Sequence, residues 1–161
     1  MVSLEPVPAK LKKNQKKYEA FIELLEYWLN RLHVFNGRKE RPIEYGRDNR
    51  YSGFAVTECY DDKFIVKYNA RRMGHLSYAM LVNVVFHEIG HIKHNLRYNT
   101  HNEQVKSEYV AERYAIQKMK CYYPYHLSAV AEYTRKKLAS RKWVKDNPVH
   151  AEAFKKIREY K

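Results

Sequence analysis

The stretch Leu81–His94 reads L-V-N-V-V-F-H-E-I-G-H-I-K-H and contains the pattern H-E-x-x-H. Residues four apart on an α-helix lie one turn above each other, so His87 and His91 can direct two imidazoles at a single metal ion. Glu88 leaves the helix about 100° round from His87. Its carboxylate can therefore take a proton from a water molecule held at that metal. The pattern predicts a zinc site with Glu88 as the general base.

The residues that flank the motif favour this interpretation. They are strongly apolar: Leu81, Val82, Val84, Val85, Phe86, Ile89 and Ile92. A helix that is apolar over most of its surface is usually buried. Buried histidines and a buried carboxylate need partners, because lone buried polar groups are costly, and a metal ion supplies one. The alternative is a pair of histidines on the surface of an ordinary helix, since three fixed positions also arise by chance.

A catalytic zinc site needs a third protein ligand as well as an open position for water. His94 is too distant, because seven residues from His87 correspond to ~10.5 Å of helix rise. The extended pattern H-E-x-x-H-x-x-G-x-x-H does not fit either, since its glycine and last histidine positions hold His94 and Arg97. His94 is expected at the helix end, where the macrodipole favours a cation.

A better third ligand lies downstream in Ser107–Ala115, which reads S-E-Y-V-A-E-R-Y-A. Glu108 and Glu112 share one helix face at the spacing i, i+4. Glu108 can bind the metal, and Glu112 can accept the free ring N–H of a ligating histidine. Ala111 and Ala115 are small and would let this helix pack closely against the first one. The alternative is a solvated carboxylate pair balanced by neighbouring basic side chains.

Together these two motifs resemble the gluzincin metallopeptidases, most of all the ImmA/IrrE-type and the small phage- or mobile-element-encoded members. Those proteins carry H-E-[LI]-G-H, then a helix with Glu-x-x-Ala-[Asn/Asp]-x-[Phe/Tyr]-Ala. A turn rich in Met and Pro follows, and Met119–Pro124 is similar to it. The resemblance covers about residues 51–124 of this chain. It does not extend to either end of the chain.

The resemblance implies a zincin-like α+β fold and one Zn²⁺ per chain. The implied ligands are His87, His91 and Glu108, with Glu88 as the general base. Glu112 stands where Asp or Asn is usual in the family. The resemblance does not name a substrate.

Composition limits the classes of protein that the chain can represent. A length of 161 residues with 45% hydrophobic content predicts one compact domain with a core. The sequence shows no apolar run of transmembrane length and no signal peptide, so we expect a cytoplasmic protein without a membrane partner. Cys59 and Cys121 do not form a disulfide framework and are expected to be reduced. The net charge of +13 favours acidic partners such as nucleic acid.

The predicted domain organisation is simple. Residues 1–12 are expected to form a flexible tail, and residues 13–161 a single zincin-like catalytic domain. The core of that domain spans residues 51–124, and basic C-terminal helices span residues 125–161.

Residues 18–35 show the spacing of an amphipathic helix that ends at Asn36–Gly37. Residues 38–50 are polar, with a proline and a glycine, and read as a loop. Residues 51–68 read as a hairpin, which predicts a small antiparallel sheet packed on the helix with the H-E-x-x-H motif. The second strand, residues 63–69, is the predicted edge strand that would offer backbone groups to an extended substrate.

The C-terminal third is predicted to be helical near residues 127–141 and 148–160. Asn147 and Pro148 are expected to begin the second of these helices. Residues 131–161 contain ten Lys or Arg against four Asp or Glu. These helices can present a basic binding face, and the alternative is an ordinary solvated surface.

Two functions from different classes fit these observations. The first is a zinc metallopeptidase that cleaves a specific intracellular protein such as a regulator, with Tyr125 or His126 as the donor to the oxyanion. The second is an accessory protein that binds nucleic acid or protein and has a structural or inactive zinc site. Both can hold together if the substrate is a DNA-bound protein. A salt titration of DNA binding separates them, because contacts to phosphates weaken steeply with salt.

Overall fold

The computed structural model describes residues 6–35, 38–95 and 99–161. Residues 1–5 of the predicted tail and the predicted helix terminator Asn36–Gly37 lie outside these ranges. The described elements follow the order α1 (Lys17–Arg31), β1 (Ile43–Arg47), β2 (Ala55–Cys59), β3 (Phe64–Tyr68), α2 (Ala70–Met73), α3 (Tyr78–His94), α4 (His101–Tyr122), α5 (Leu127–Ala139), α6 (Arg141–Asp146) and α7 (Pro148–Lys155). Two short 3₁₀ helices, Pro124–His126 and Arg158–Tyr160, precede α5 and follow α7. The chain therefore has the predicted α+β class.

The sheet is mixed, not antiparallel as predicted. Its strand order is β1-β3-β2. β3 pairs in parallel with β1, where Ile43 lies opposite Phe64, and antiparallel with β2, where Cys59 lies opposite Phe64. The prediction of a loop over residues 38–50 was wrong, because this segment contains β1. β1 is a polar edge strand that depends on a distant partner, so its local sequence resembles a loop.

The predicted position of the edge strand was also wrong. Residues 63–69 contain β3, the central strand, whose backbone pairs on both sides. Phe64 and Val66 are fully buried and Tyr68 is nearly so, which explains why this is the most apolar of the three strands. β2 is an edge of the sheet, and it packs against α3.

The core forms around α3. Every residue of α3 from Ala79 to Ile92 is buried, as its apolar sequence predicts. α1 packs across it, and the ring centroids of Trp28 and Phe86 lie 5.1 Å apart. The buried face of α1 includes the residues at helical spacing Phe21, Leu24, Leu25, Trp28 and Leu29. α1 ends at Arg31, four residues before the predicted end.

Both ends of α3 have local causes. Ser77 caps the N-terminus, where its hydroxyl accepts a hydrogen bond from the backbone N–H of Met80 at 3.2 Å. Asn95 follows His94 with φ of 47°, a left-handed conformation that terminates helices and that Asn adopts more readily than most residues. The sequence predicted the position of His94 at the helix end.

α3 and α4 approach each other closely because small residues face each other between them. A Cβ added to Gly90 would lie 2.9 Å from the Cα of Ala111 and 3.0 Å from its carbonyl oxygen. Ala111 and Ala115 are both buried. The prediction that small residues bring these two helices together is confirmed, and this contact fixes the distance between the histidines of α3 and the carboxylates of α4.

The C-terminal elements cover one side of α4. α7 packs against α4, and the following 3₁₀ turn packs against α5. Ile157 and Tyr160 are buried there. Pro148 is the first residue of α7 as predicted, but the side chain of Asn147 donates to the carbonyl of Trp143 at 3.0 Å and does not cap the helix.

No helix within the described residues is both long and apolar enough to cross a membrane. Neither Cys59 nor Cys121 forms a disulfide within the part of the chain that the structure describes. In the described part of the predicted tail, Val7 and Leu11 pack against the core. The carbonyl of Pro8 accepts a hydrogen bond from the hydroxyl of Tyr78 at 3.1 Å.

Candidate metal centre

The contact between α3 and α4 brings three potential metal ligands to one point. Nε2 of His87 lies 2.8 Å from Oε2 of Glu108 and 3.2 Å from Nε2 of His91. Nε2 of His91 lies 3.3 Å from Oε1 of Glu108. These atoms all lie within 4.8 Å of one another, and each residue is buried at 8% exposure. The predicted ligand set converges, and the three side chains can hold a metal ion.

The spacing of these atoms fits a small tetrahedral ion. Ligand atoms ~2.0–2.1 Å from a tetrahedral zinc lie ~3.4 Å from one another. The separations of 3.2 Å and 3.3 Å that involve His91 are close to that value, whereas Nε2 of His87 and Oε2 of Glu108, 2.8 Å apart, are at hydrogen-bonding distance. Two imidazoles and one carboxylate are also a common ligand set of catalytic zinc. Both the chemistry and the geometry of the cluster therefore suit Zn²⁺.

Glu112 lies behind His87, on the side away from Glu108. Its Oε2 accepts a hydrogen bond from Nδ1 of His87 at 2.6 Å. Its Oε1 accepts from Nδ2 of Asn83 at 3.3 Å and from the hydroxyl of Tyr160. A carboxylate at this position places the ring proton on Nδ1 and points the lone pair of Nε2 toward the ligand cluster.

His91 has a corresponding partner that the sequence did not predict. Oγ of Ser107 lies 3.3 Å from Nδ1 of His91 and can accept its ring N–H. Ser107 is 1% exposed and immediately precedes Glu108 on α4. The sequence did not single out Ser107, because a buried serine on a helix has many possible hydrogen-bond partners.

The charges of the cluster are strongly coupled. Burial opposes a charge on His87, but Glu108 and Glu112 outweigh it and hold the pKa of His87 well above its ordinary value. Burial also opposes the charge on Glu108, yet His91 and His87 hold the pKa of that carboxyl well below its usual range. The carboxylates are therefore ionised and attract positive charge. A divalent cation at this point would replace the proton on His87.

Glu88 is held by the edge strand. The hydroxyl of Thr57, on β2, donates a hydrogen bond to Oε2 of Glu88. Glu88 and Thr57 are both buried, at 3% and 6% exposure. The side chain of the predicted general base thus extends from α3, the helix that carries the histidines, to β2 at the sheet edge.

The structure does not bring the two predicted oxyanion donors to the cluster. Tyr125 is 94% exposed. The ring of His126 stacks on Tyr123, with centroids 5.9 Å apart, and meets Tyr78 edge-on at 6.2 Å. Among the contacts that the structure describes, neither residue touches a ligand of the cluster. Both follow the C-terminal end of α4, whereas Glu108 and Glu112 lie nearer the middle of that helix.

α7 supplies the residues that the sequence did not identify. Nε2 of His150 lies 3.2 Å from Oε2 of Glu108, and the His150 side chain is 37% exposed against 11% for Glu108. The ring of Phe154 meets His87 edge-on at 6.2 Å and His150 at 5.7 Å. The i, i+4 spacing of His150 and Phe154 marks a helix face. Nothing in the sequence shows that this face packs on α4.

Comparisons of the chain with protein-family models, with curated proteins and with solved structures found no match. The function is therefore inferred from the geometry of this centre.

Proposed function

We propose that the chain is a zinc-dependent metallopeptidase of the gluzincin class. The observation that supports this most directly is the buried convergence of His87, His91 and Glu108 from two adjacent helices. Imidazole nitrogens favour zinc over magnesium or calcium, which prefer oxygen ligands. Three protein ligands leave room for a substrate or water at the fourth position of a tetrahedral ion.

A bound zinc ion would polarise the carbonyl of the scissile bond and lower the pKa of a water molecule. Glu88 accepts the proton of that water and returns it to the leaving amine. The hydrogen bond from Thr57 holds Oε2 of Glu88, so Oε1 is the oxygen that exchanges the proton. Burial of Glu88 keeps competing bulk water away from this transfer.

A peptide substrate is supported by the position of β2. This strand is an edge of the sheet and packs against α3, and its residue Thr57 contacts Glu88. An exposed strand edge can pair with an extended peptide through backbone hydrogen bonds. A peptide paired there would run alongside Glu88.

His150 is the proposed donor to the oxyanion. Its side chain is 37% exposed against 11% for Glu108, and its Nε2 lies 3.2 Å from Oε2 of Glu108. When a substrate carbonyl beside the cluster develops negative charge, the Nε2–H of His150 can turn from Glu108 and donate a hydrogen bond to that oxygen. This assignment replaces Tyr125 and His126.

The function is tested with the purified chain as it is, by measuring bound metals and then incubating it with a proteome-derived peptide library. We expect about one zinc per chain, as three protein ligands at a single centre imply. We also expect new peptide N-termini that vanish with 1,10-phenanthroline and return when zinc is added. A chain that binds no zinc, or a zinc-loaded chain that yields no new N-termini, contradicts the proposal.

His150→Ala is expected to lower kcat for peptide hydrolysis by roughly 10²–10³, the usual effect of removing one oxyanion donor. Zinc content should not change, because His87, His91 and Glu108 remain. Steady-state kinetics on a peptide from the library, together with metal analysis, measure both.

The matched control is His101→Ala. His101 is also tied to α7, through an exposed contact of 2.7 Å to Glu152. If His150 acts only by holding α7 in place, both variants should lose activity alike. Equal kinetics for the two variants would therefore refute a catalytic role for His150.

A further inference from the structure

Tyr160 is a buried residue next to the C-terminus that reaches the metal centre from behind. It lies in the 3₁₀ turn Arg158–Tyr160 and is 4% exposed. Its ring meets that of Phe154 at 6.0 Å, and Ile157 anchors the same turn in the core with 0% exposure. Its hydroxyl donates a hydrogen bond to Oε1 of Glu112.

A continuous series of contacts links this phenol to the ligand cluster. Tyr160 holds one oxygen of Glu112, and the other oxygen accepts the Nδ1–H of His87 at 2.6 Å. A carboxylate held at both oxygens cannot rotate about its last bond. Asn83 also donates to Oε1, but at 3.3 Å this contact is long for a hydrogen bond. Without the phenol, Glu112 would have more freedom to turn away from His87.

We propose that Tyr160 is a positioning residue of the metal centre. By fixing Glu112 it fixes the proton of His87 on Nδ1, and so raises the affinity of Nε2 for the metal. This inference rests on the proposed function only in requiring that His87 binds a metal. It does not depend on catalysis.

The chemistry of the phenol supports the assignment. Burial, and then the charge of Glu112, raise the pKa of Tyr160 well above its ordinary value, so the group remains a donor. A phenylalanine would fill the same space in the core without needing a partner. The hydroxyl therefore contributes a polar contact to Glu112 that packing alone does not require.

The test is the zinc affinity of Tyr160→Phe in the full chain, measured by competition with a chromophoric chelator. Loss of a group that orients a ligating histidine typically lowers metal affinity ~10–100-fold. Because Tyr160 acts through Glu112, we expect about tenfold, at the lower end of that range. The d–d spectrum of the Co²⁺-loaded variant should shift as well. An affinity within twofold of the parent with an unchanged spectrum would overturn the proposal.

Tyr133→Phe is the matched control. It removes a phenol from α5, the helix that packs against the C-terminal turn, but not from the contacts that lead to His87. We expect its zinc affinity and its Co²⁺ spectrum to equal those of the parent. A loss in Tyr133→Phe as large as that in Tyr160→Phe would mean that the effect is general loosening, and would refute positioning by Tyr160.

Glu112→Gln provides a second test that does not depend on the folding of Tyr160→Phe. It replaces one acceptor oxygen of Glu112 with an N–H donor, and we expect it to lower zinc affinity at least as much. The double variant should lose little more than Glu112→Gln alone, because the two residues act in series. Unchanged affinity in Glu112→Gln, or additive losses in the double variant, would each contradict the proposed route.

The outcomes separate this inference from the proposed function. A chain that binds zinc but cleaves no peptide refutes the peptidase and leaves the role of Tyr160 open to the affinity measurement, which then decides it. A chain that cleaves peptides while Tyr160→Phe binds zinc like the parent refutes only the role of Tyr160. A chain that binds no zinc refutes both.

Discussion

Glu88→Gln is expected to reduce peptide hydrolysis by roughly 10²–10⁴, the usual contribution of a general base. The amide has nearly the same shape as the carboxylate, and its oxygen can still accept a hydrogen bond from the hydroxyl of Thr57. It cannot accept a proton from water. Because Glu88 is not among the three ligands, zinc should remain at the level of the parent.

The measurement compares the cleavage rate and the zinc content of Glu88→Gln with those of the parent. Glu132→Gln is the control, since Glu132 is an exposed residue of α5 whose side chain is 68% accessible and whose partner is Lys136. It should match the parent in both respects. Parental cleavage by Glu88→Gln would place the base elsewhere, and loss of zinc would show that Glu88 supports the metal centre itself.

The burial of Glu88 helps to explain why Thr57 is needed. A buried carboxylate without a hydrogen bond is costly, and Glu88 is 3% exposed on α3, which is buried from Ala79 to Ile92. Thr57 on β2 donates a hydrogen bond to one oxygen, so the proposed base is tied to the sheet edge. The same contact that stabilises the carboxylate also sets its direction. The hydrogen bond between α3 and β2 therefore satisfies a buried carboxylate and also orients the proposed base.

The candidate metal-binding residues could be predicted from sequence because their spacing on each helix is local. Two histidines four residues apart share a helix face in any α-helix, and Glu108 and Glu112 do the same on α4. The small size of Ala111 and Ala115 then predicted the close contact between the helices, and the structure shows it where Ala111 lies opposite Gly90. In each case a short segment of sequence contained all the information that the prediction needed.

The sheet could not be predicted in the same way. β1 is stabilised by parallel pairing with β3, which lies about twenty residues further along the chain. The local sequence of residues 38–50 contains Pro42, Gly46 and several charges, which are typical of a loop. β3 was placed at the edge for the same reason, because a hairpin of two strands has no central strand until the third is found.

The remaining residues of the centre come from the C-terminal segment. His150 and Tyr160 contact Glu108 and Glu112 only because α7 and the last turn pack back on α4. A single histidine on a short helix and a tyrosine at the chain end carry no motif. The predicted donors Tyr125 and His126 were chosen for their closeness to α4 in sequence, and proximity in the chain did not become proximity in space.

Glu108→Ala is expected to remove the bound zinc and with it the stabilisation that the metal provides. Zinc at a free concentration of about 1,000 times its dissociation constant stabilises a folded protein by about 4.1 kcal/mol if it does not bind the unfolded chain. For a domain of this size, ~2–4 °C per kcal/mol corresponds to a rise in Tm of roughly 8–16 °C. The parent should show this rise in thermal unfolding with added zinc.

In Glu108→Ala the rise should be absent, because His87 and His91 alone provide two nitrogen ligands on one helix and no carboxylate that binds the cation directly. Glu103→Ala is the control, since Glu103 belongs to the same helix but bonds to Thr100 at its exposed N-terminus. Its weaker helix cap can lower the Tm of the zinc-free variant. The rise in Tm on adding zinc should nevertheless equal that of the parent. Stoichiometric zinc in Glu108→Ala, with a rise equal to that of the parent, would show that the metal is held by other residues and would remove the basis for the proposed hydrolase.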